Sequence, residues 1–214
     1  MKIAPSILSA DFSVLGREIA DVKSAGADYL HIDVMDGLFV PNISVGVPVV
    51  KSVRRATDMI LDVHLMITKP IRYVEAFIRA GADIVVVHLE ADEPQEIRGA
   101  IDRIKALGKG AGLSIKPKTP AQTLLPYIRD LDMVLIMTVE PGFGNQKFMT
   151  DQLEKIRETR DMIETFQPAC ELEVDGGIDP ETSPLVRGAG ANVLVAGSAI
   201  FDKPDRAAAI KALR

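Results

Sequence analysis

Three histidines occur in the chain, and two of them stand in a shared local pattern. Residues 29–37 read Tyr-Leu-His-Ile-Asp-Val-Met-Asp-Gly, and residues 61–66 read Leu-Asp-Val-His-Leu-Met. Side chains alternate between the two faces of an extended strand. His31, Asp33 and Met35 therefore share one face of the first segment, and Asp62, His64 and Met66 one face of the second. A third segment, Glu173-Val174-Asp175-Gly176-Gly177, brings Asp175 to a strand tip. Two imidazoles (His31, His64) and two carboxylates (Asp33, Asp175) make the nitrogen–oxygen donor set of one divalent cation per chain. A lone inward histidine is more often a hydrogen-bonded core residue, and a lone strand-end Asp more often caps the next helix. The repeated pairing favours a joint site.

The remaining polar groups near these segments take secondary roles. His88, with Glu90 on the same face, reads as an outer hydrogen-bond partner or a satisfied core residue, because four ligands are already in hand. Asp62 and Glu173 fall one layer below His64 and Asp175, where a buried carboxylate needs a partner or a proton. Lys116 is a candidate partner for them. Three glycine-bearing loops then offer backbone N–H groups to an anion: Gly176-Gly177, Gly197-Ser198, and Gly142-Phe143-Gly144-Asn145. One such pair reads as a tight turn; three at the same end of adjacent strands read as a phosphate grip. Met35, Met66 and Met137 all fall at strand ends and are read as an apolar collar around the charged site, against the default that methionines fill cores.

Something must bring these segments to one place, and a repeat shows how. Ala-Gly-Ala followed by Asp or Asn begins at Ala25, Ala80 and Ala189, 55 and 109 residues apart. Two and four units of about 27 residues, the length of one βα step, account for both spacings. Each copy ends a helical pattern with a C-capping glycine and precedes an apolar run. With that ruler the strands read Ile3–Leu8, Tyr29–Met35, Met59–Met66, Ile84–Leu89, Gly110–Ile115, Met133–Val139, Glu171–Asp175 and Val193–Ala196. Amphipathic stretches such as Val14–Ser24, Arg72–Arg79, Gln95–Leu107 and Thr150–Phe166 lie between them. The fold class is α/β, a single (β/α)8 TIM barrel over residues 1–214, whose working face is the C-terminal end of the strands.

Composition narrows the function classes. Apolar residues form 47% of the 214-residue chain and charged residues 26%, a globular balance. A net charge of −5 argues against nucleic-acid and anionic-membrane partners. The single Cys170 excludes a disulfide framework and fits a reducing compartment. No apolar run reaches the roughly 18 residues of a membrane span, and the N-terminus lacks a signal-peptide pattern, so a cytoplasmic protein is expected.

A cation flanked by carboxylates, at a fixed distance from a phosphate grip, suits proton abstraction beside a carbonyl. Lewis-acid contact to the ketone and neighbouring hydroxyl oxygens stabilises the enediolate. Inverting the carbon needs one acid–base group on each face. Asp33 and Asp175, from strands that are not neighbours, are the candidates, with their pKa values pushed apart.

The segments Pro5-Ser6-Ile7-Leu8-Ser9-Ala10-Asp11-Phe12, His31-Ile32-Asp33-Val34-Met35-Asp36-Gly37 with Phe39-Val40-Pro41-Asn42, and Asp62-Val63-His64-Leu65-Met66 resemble the ribulose-phosphate 3-epimerase family. So do Met137-Thr138-Val139-Glu140-Pro141-Gly142-Phe143-Gly144, Glu173-Val174-Asp175-Gly176-Gly177-Ile178 and Ala196-Gly197-Ser198-Ala199-Ile200-Phe201. The resemblance runs from the first strand to the last. It implies interconversion of D-ribulose 5-phosphate and D-xylulose 5-phosphate in the pentose phosphate pathway, with zinc, iron, manganese or cobalt held by His31, Asp33, His64 and Asp175. Asp33 would accept the proton and Asp175 donate it in one direction. Ser6, His64 and Asp175 would face the sugar. Gly142, Phe143, Gly144, Asn145, Gly176, Gly177, Gly197 and Ser198 would surround the phosphorylated end. Members of the family often form homo-oligomers.

Two departures stand out. Asn145 replaces a glycine usual in the family, and Asn is the residue that best tolerates the same backbone conformation. The C-terminus looks short, which would weaken the closing helix. Rival readings are a sister epimerase for a hexulose 6-phosphate such as D-allulose 6-phosphate, and a non-catalytic sugar-phosphate-binding barrel. A related metal-free decarboxylase would need Asp-x-Lys-x-x-Asp on a strand, and the second strand has no Lys.

Overall fold

The structure, a computed structural model, describes residues 1–214. Eight parallel strands share one sheet: β1 (Lys2–Pro5), β2 (Tyr29–Met35), β3 (Ile60–Met66), β4 (Ile84–His88), β5 (Gly110–Ile115), β6 (Met133–Met137), β7 (Glu171–Asp175) and β8 (Val193–Ala196). Their order is β1-β8-β7-β6-β5-β4-β3-β2. The ring closes between β1 and β2 through a single parallel bridge, Ser6 to His31. This is the TIM barrel that the eight-unit ruler predicts. No helix is long and apolar enough to cross a membrane.

Eight helices follow the chain: α1 (Leu15–Ser24), α2 (Val47–Ala56), α3 (Val74–Ala80), α4 (Pro94–Ala106), α5 (Gln152–Phe166), α6 (Ser183–Gly188), α7 (Ser198–Phe201) and α8 (Arg206–Ala212). Helix α4 shows why they form. Pro94 stands in the first turn, where its missing N–H costs nothing, and Ile97, Ala100, Ile101 and Ile104 make one buried stripe. The helices and the outward strand residues enclose a core of 50 buried apolar residues, against 9 inside the barrel. Apolar burial is thus concentrated outside the sheet, and the barrel interior is left to carry polar groups.

The Asp or Asn closing each Ala-Gly-Ala repeat has a structural role. Asp28 donates its backbone N–H to Ile3 O (2.9 Å) and accepts Ile3 N–H on Oδ2 (2.8 Å). Asp83 does the same with Leu61 (3.0 and 3.1 Å), and Asn192 with Leu172 (2.9 and 2.7 Å). Asp132, outside the repeat, clamps Ala111 in the same way (2.9 Å each). Each side chain supplies an acceptor for the N–H of a strand's second residue. At Gly81 the backbone φ is 119°, and a Cβ would fall 2.4 Å from the Arg54 side chain. Only glycine fits that cap.

The structure moves several sequence boundaries. The first strand stops at Pro5 rather than Leu8, because Ser6 caps a 3-10 turn over Ile7–Ser9 by accepting Leu8 N–H (3.3 Å). The sixth stops at Met137, where Thr138 Oγ1 turns to the carbonyls of Asp175 (2.9 Å) and Gly176 (2.6 Å). The connection from β5 to β6 makes no α-helix, only 3-10 turns at Ala121–Leu124 and Ile128–Asp130. Pro117, Pro120 and Pro126 remove the N–H donors that a helix there would need. The closing helix α8 spans only Arg206–Ala212, and the residues after it are anchored. Leu213 is buried and its carbonyl accepts Ser183 Oγ–H (2.5 Å), while Arg214 reaches Asp28 (2.6 Å).

Candidate active site

Strand register assembles the two histidine motifs. His31 lies beside Asp62, Asp33 beside His64, and Met35 beside Met66 across β2 and β3. Met137 of β6 stands beside Asp175 of β7. One donor atom from each of His31, Asp33, His64 and Asp175 falls within 4.8 Å of the others. All four expected ligands therefore converge, as alternation within each strand predicts.

Local contacts orient the donors. His31 Nδ1 meets Asp62 Oδ2 at 2.6 Å. A carboxylate only accepts, so that nitrogen carries the hydrogen and Nε2 is turned toward the site. Nε2 lies 3.3 Å from Asp33 Oδ1 and is buried without a hydrogen-bond partner. Asp33 Oδ2 accepts Ser6 Oγ–H (2.6 Å), and its Oδ1 lies 3.1 Å from His64 Nδ1. An orphaned imidazole nitrogen beside three further nitrogen and oxygen donors fits a divalent cation.

The carboxyls are driven in opposite directions. Burial alone would raise Asp33, but the charge of the His31 imidazole beside it outweighs burial and holds the carboxyl well below the usual range. Asp175 is pushed up to about 6, first by burial and then by the charge of Asp33. Burial also disfavours the His31 cation, yet Asp33 and Asp62 outweigh it and hold the imidazole well above its ordinary value.

The layer below behaves as expected for Asp62, which serves His31. Glu173 is fully buried with neither oxygen hydrogen-bonded. Burial, reinforced by Asp62, keeps its carboxyl well above the usual range, so it holds a proton. Lys116 is not the partner of either acid. Strand β5 ends at Ile115, and the Lys116 ammonium lies over the Phe39 ring, 3.7 Å from its centroid. His88 is buried against His64, with Nε2 atoms 2.8 Å apart. Burial pushes it down to about 4, so its ring is neutral at pH 7.

Above the ligands opens a cavity of about 770 Å³. Ser6, Asp33 and Asp175 lie in its wall together with Met35, Met66 and Met137, so the methionine collar exists as a lining. His31 and His64 are fully buried beneath it. All three glycine loops border the same cavity. At Gly177 φ is 65° and a Cβ would sit 2.5 Å from Phe148 N, so this loop has no space for a side chain. Asn145 takes φ 56°, the left-handed conformation expected of it.

Two contacts around the cavity were not apparent from the sequence. Asn42 Nδ2 donates to Gly142 O (2.8 Å), tying the loop after β2 to the loop after β6, and the 100 residues between them leave no local signal. Asp36 accepts the N–H groups of Leu38, Phe39 and Thr68, each at 2.8 Å. The Asp36-Gly37 turn was its only sequence mark.

The sequence profile of the Ribulose-phosphate 3 epimerase family matches residues 2–201. This chain belongs to that family. It is 53% identical to the ribulose-phosphate 3-epimerase of Bacillus subtilis (strain 168), over 100% of this chain and 98% of that one. Identity to the chloroplastic ribulose-5-phosphate-3-epimerase of Arabidopsis thaliana is 47%, over 99% of this chain and 75% of that one. The solved 3-keto-L-gulonate-6-phosphate decarboxylase of Vibrio cholerae superposes with a TM-score of 0.75, covering 99% of this chain and 96% of that one. At 20% identity that likeness is one of fold.

Proposed function

We propose that this chain, acting as one barrel domain over residues 1–214 in the cytoplasm, interconverts D-ribulose 5-phosphate and D-xylulose 5-phosphate at carbon three. The observation that carries this reading is the pair Asp33 and Asp175. They stand at one cavity on strands separated by β1 and β8, one held ionised and the other pushed up to about 6. Asp33 takes the carbon-bound proton from one face of the sugar. Asp175 delivers a proton to the opposite face, and the roles exchange for the reverse direction. Ser6 keeps Asp33 aimed by donating to Oδ2 and faces the sugar hydroxyls. A divalent cation (zinc, iron, manganese or cobalt) held by His31, Asp33, His64 and Asp175 would supply Lewis-acid stabilisation of the negative charge developing on the substrate oxygens.

The loops of Gly142 to Asn145, Gly176-Gly177 and Gly197-Ser198 bind the phosphate. That contact orients the reacting carbon with binding energy made far from it. Phe143, half exposed, closes over the same end, and the methionine collar keeps water from the acids. All of these groups come from one chain.

The test is an assay with both pentulose phosphates, and with D-allulose 6-phosphate, before and after chelator treatment. Epimerisation of the pentulose phosphates should disappear with the metal and return with a divalent cation. Full activity in metal-free protein, or a preference for the hexulose phosphate, would overturn the reading.

A further inference from the structure

The hydrogen bonding of His64 continues past the ligand layer, through His88 to Glu90. His64 Nε2 lies 2.8 Å from His88 Nε2, and His88 Nδ1 lies 3.3 Å from Glu90 Oε2. Both rings are fully buried, and Phe39 packs against His88 with centroids 4.8 Å apart. The other Glu90 oxygen accepts Lys116 N–H (2.8 Å) and the Thr119 hydroxyl, so the carboxylate is fixed from its outer side. Its side chain is 24% exposed, which places the far end of the chain of contacts at the surface.

The polarity of this chain follows from its end. An ionised carboxylate can only accept, so His88 Nδ1 carries a hydrogen. In a neutral imidazole the other nitrogen is then an acceptor, and the hydrogen between the rings belongs to His64 Nε2. His64 Nδ1 is left as a lone pair, 3.1 Å from a carboxylate oxygen of Asp33. A lone pair and an anionic oxygen at that distance repel each other unless a cation lies between them. The opposite tautomer would let His64 donate to Asp33 and close the site on itself.

We propose that His88 and Glu90 form a positioning pair that holds His64 in the tautomer whose Nδ1 accepts a divalent cation. The proposal rests on reading His64 as a ligand. His31 receives the equivalent help directly from Asp62; His64 receives it through a neutral intermediary. Partners of this kind typically change metal affinity by about 10–100-fold.

Cobalt titration of metal-free protein tests this, read by visible absorption and by competition with a chelator. His88→Phe keeps a ring in the space but removes the acceptor, and should weaken Co²⁺ binding about 10–100-fold while altering the visible band. His88→Gln can set its amide oxygen where Nε2 was and accept from His64, so it should retain most of the affinity. Glu90→Ala, at the partly exposed end, should weaken binding in the same direction. Should His88→Phe fail to fold by circular dichroism, the Glu90→Ala titration decides. Wild-type Co²⁺ affinity in both His88→Phe and Glu90→Ala would overturn the positioning role and leave the site reading intact. Failure of the wild-type protein to bind Co²⁺ would overturn both.

Discussion

Carboxylates stand at both ends of the barrel strands, and their surroundings differ in kind. At the start of β4, Asp83 accepts Leu61 N–H, the Arg54 guanidinium (2.9 Å) and the Lys109 ammonium (2.9 Å). Burial would raise its carboxyl, but Lys109 and the Leu61 N–H together hold it below the ordinary value. At the other end, Asp175 has no cationic side chain as an ion-pair partner and is pushed up to about 6. The first set of acids is paired, half exposed and stabilising. The second is buried, mutually repulsive and tolerable only because a proton, an imidazole or a ligand completes it. Asp83 is held ionised by cations at one end and Asp175 is pushed toward its protonated form at the other, and the partners decide which.

The sharpest way to break the contrast is Asp175→Asn. The amide keeps the size and cannot carry the proton, so epimerisation should fall on the order of 10²–10⁴-fold while the protein stays folded. In heavy water the variant should place deuterium at carbon three of one pentulose phosphate far faster than it forms the other, because Asp33 still serves one face. NMR of both substrates reads this directly. Near-normal epimerisation, or equal labelling of both epimers, would make Asp175 a ligand without a proton-transfer role.

A smaller effect sharpens the comparison through pH. Asp175 keeps its proton up to about 6, and His31 keeps its second hydrogen well above 6.5. A cation must displace both, so its affinity should climb as pH rises from 5 to 8, with protons released on binding. Calorimetry in buffers of different ionisation heat measures that release. A pH-independent affinity would contradict the assigned charge states.

The smallest effect belongs to the strand starts. Asp83→Ala leaves Leu61 N–H and two cationic side chains without their acceptor and should cost about 1–3 kcal/mol of stability. Denaturant unfolding gives the cost, and kcat/KM per folded molecule should not change. A catalytic loss larger than the stability loss would mean that the two ends are coupled.

Much of this division is legible in the sequence. Period-two alternation in His31-x-Asp33 and Asp62-x-His64 is enough to put those side chains on one face, and β-sheet register does the rest. Three of the four clamping residues are visible as a repeat, but their function is not, since a side chain accepting an N–H from another strand leaves no periodic trace. The turn at Ser6 was hidden because Ile7 and Leu8 look like strand. Lys116 follows the last residue of its strand, where alternation no longer fixes which way a side chain points. The link from Asn42 to Gly142 joins two loops that only the closed ring brings together.

The ring itself has a joint. Seven strand pairs are laddered, whereas β1 and β2 meet through Ser6 and His31 at one end and through Asp28 and Ile3 at the other. His31 and Asp33 ride on one lip of that joint, and Ser6, on the opposite lip, reaches across it to Asp33. The hoop therefore has a clasp, and the clasp is built from side chains of the candidate site. A change in circumference demanded by a repacked helix shell would be felt first there, as a shift in the spacing of His31 and Asp33 from Ser6. Amide exchange at Ile3, whose N–H is held by Asp28 across the joint, would report the tension of the clasp.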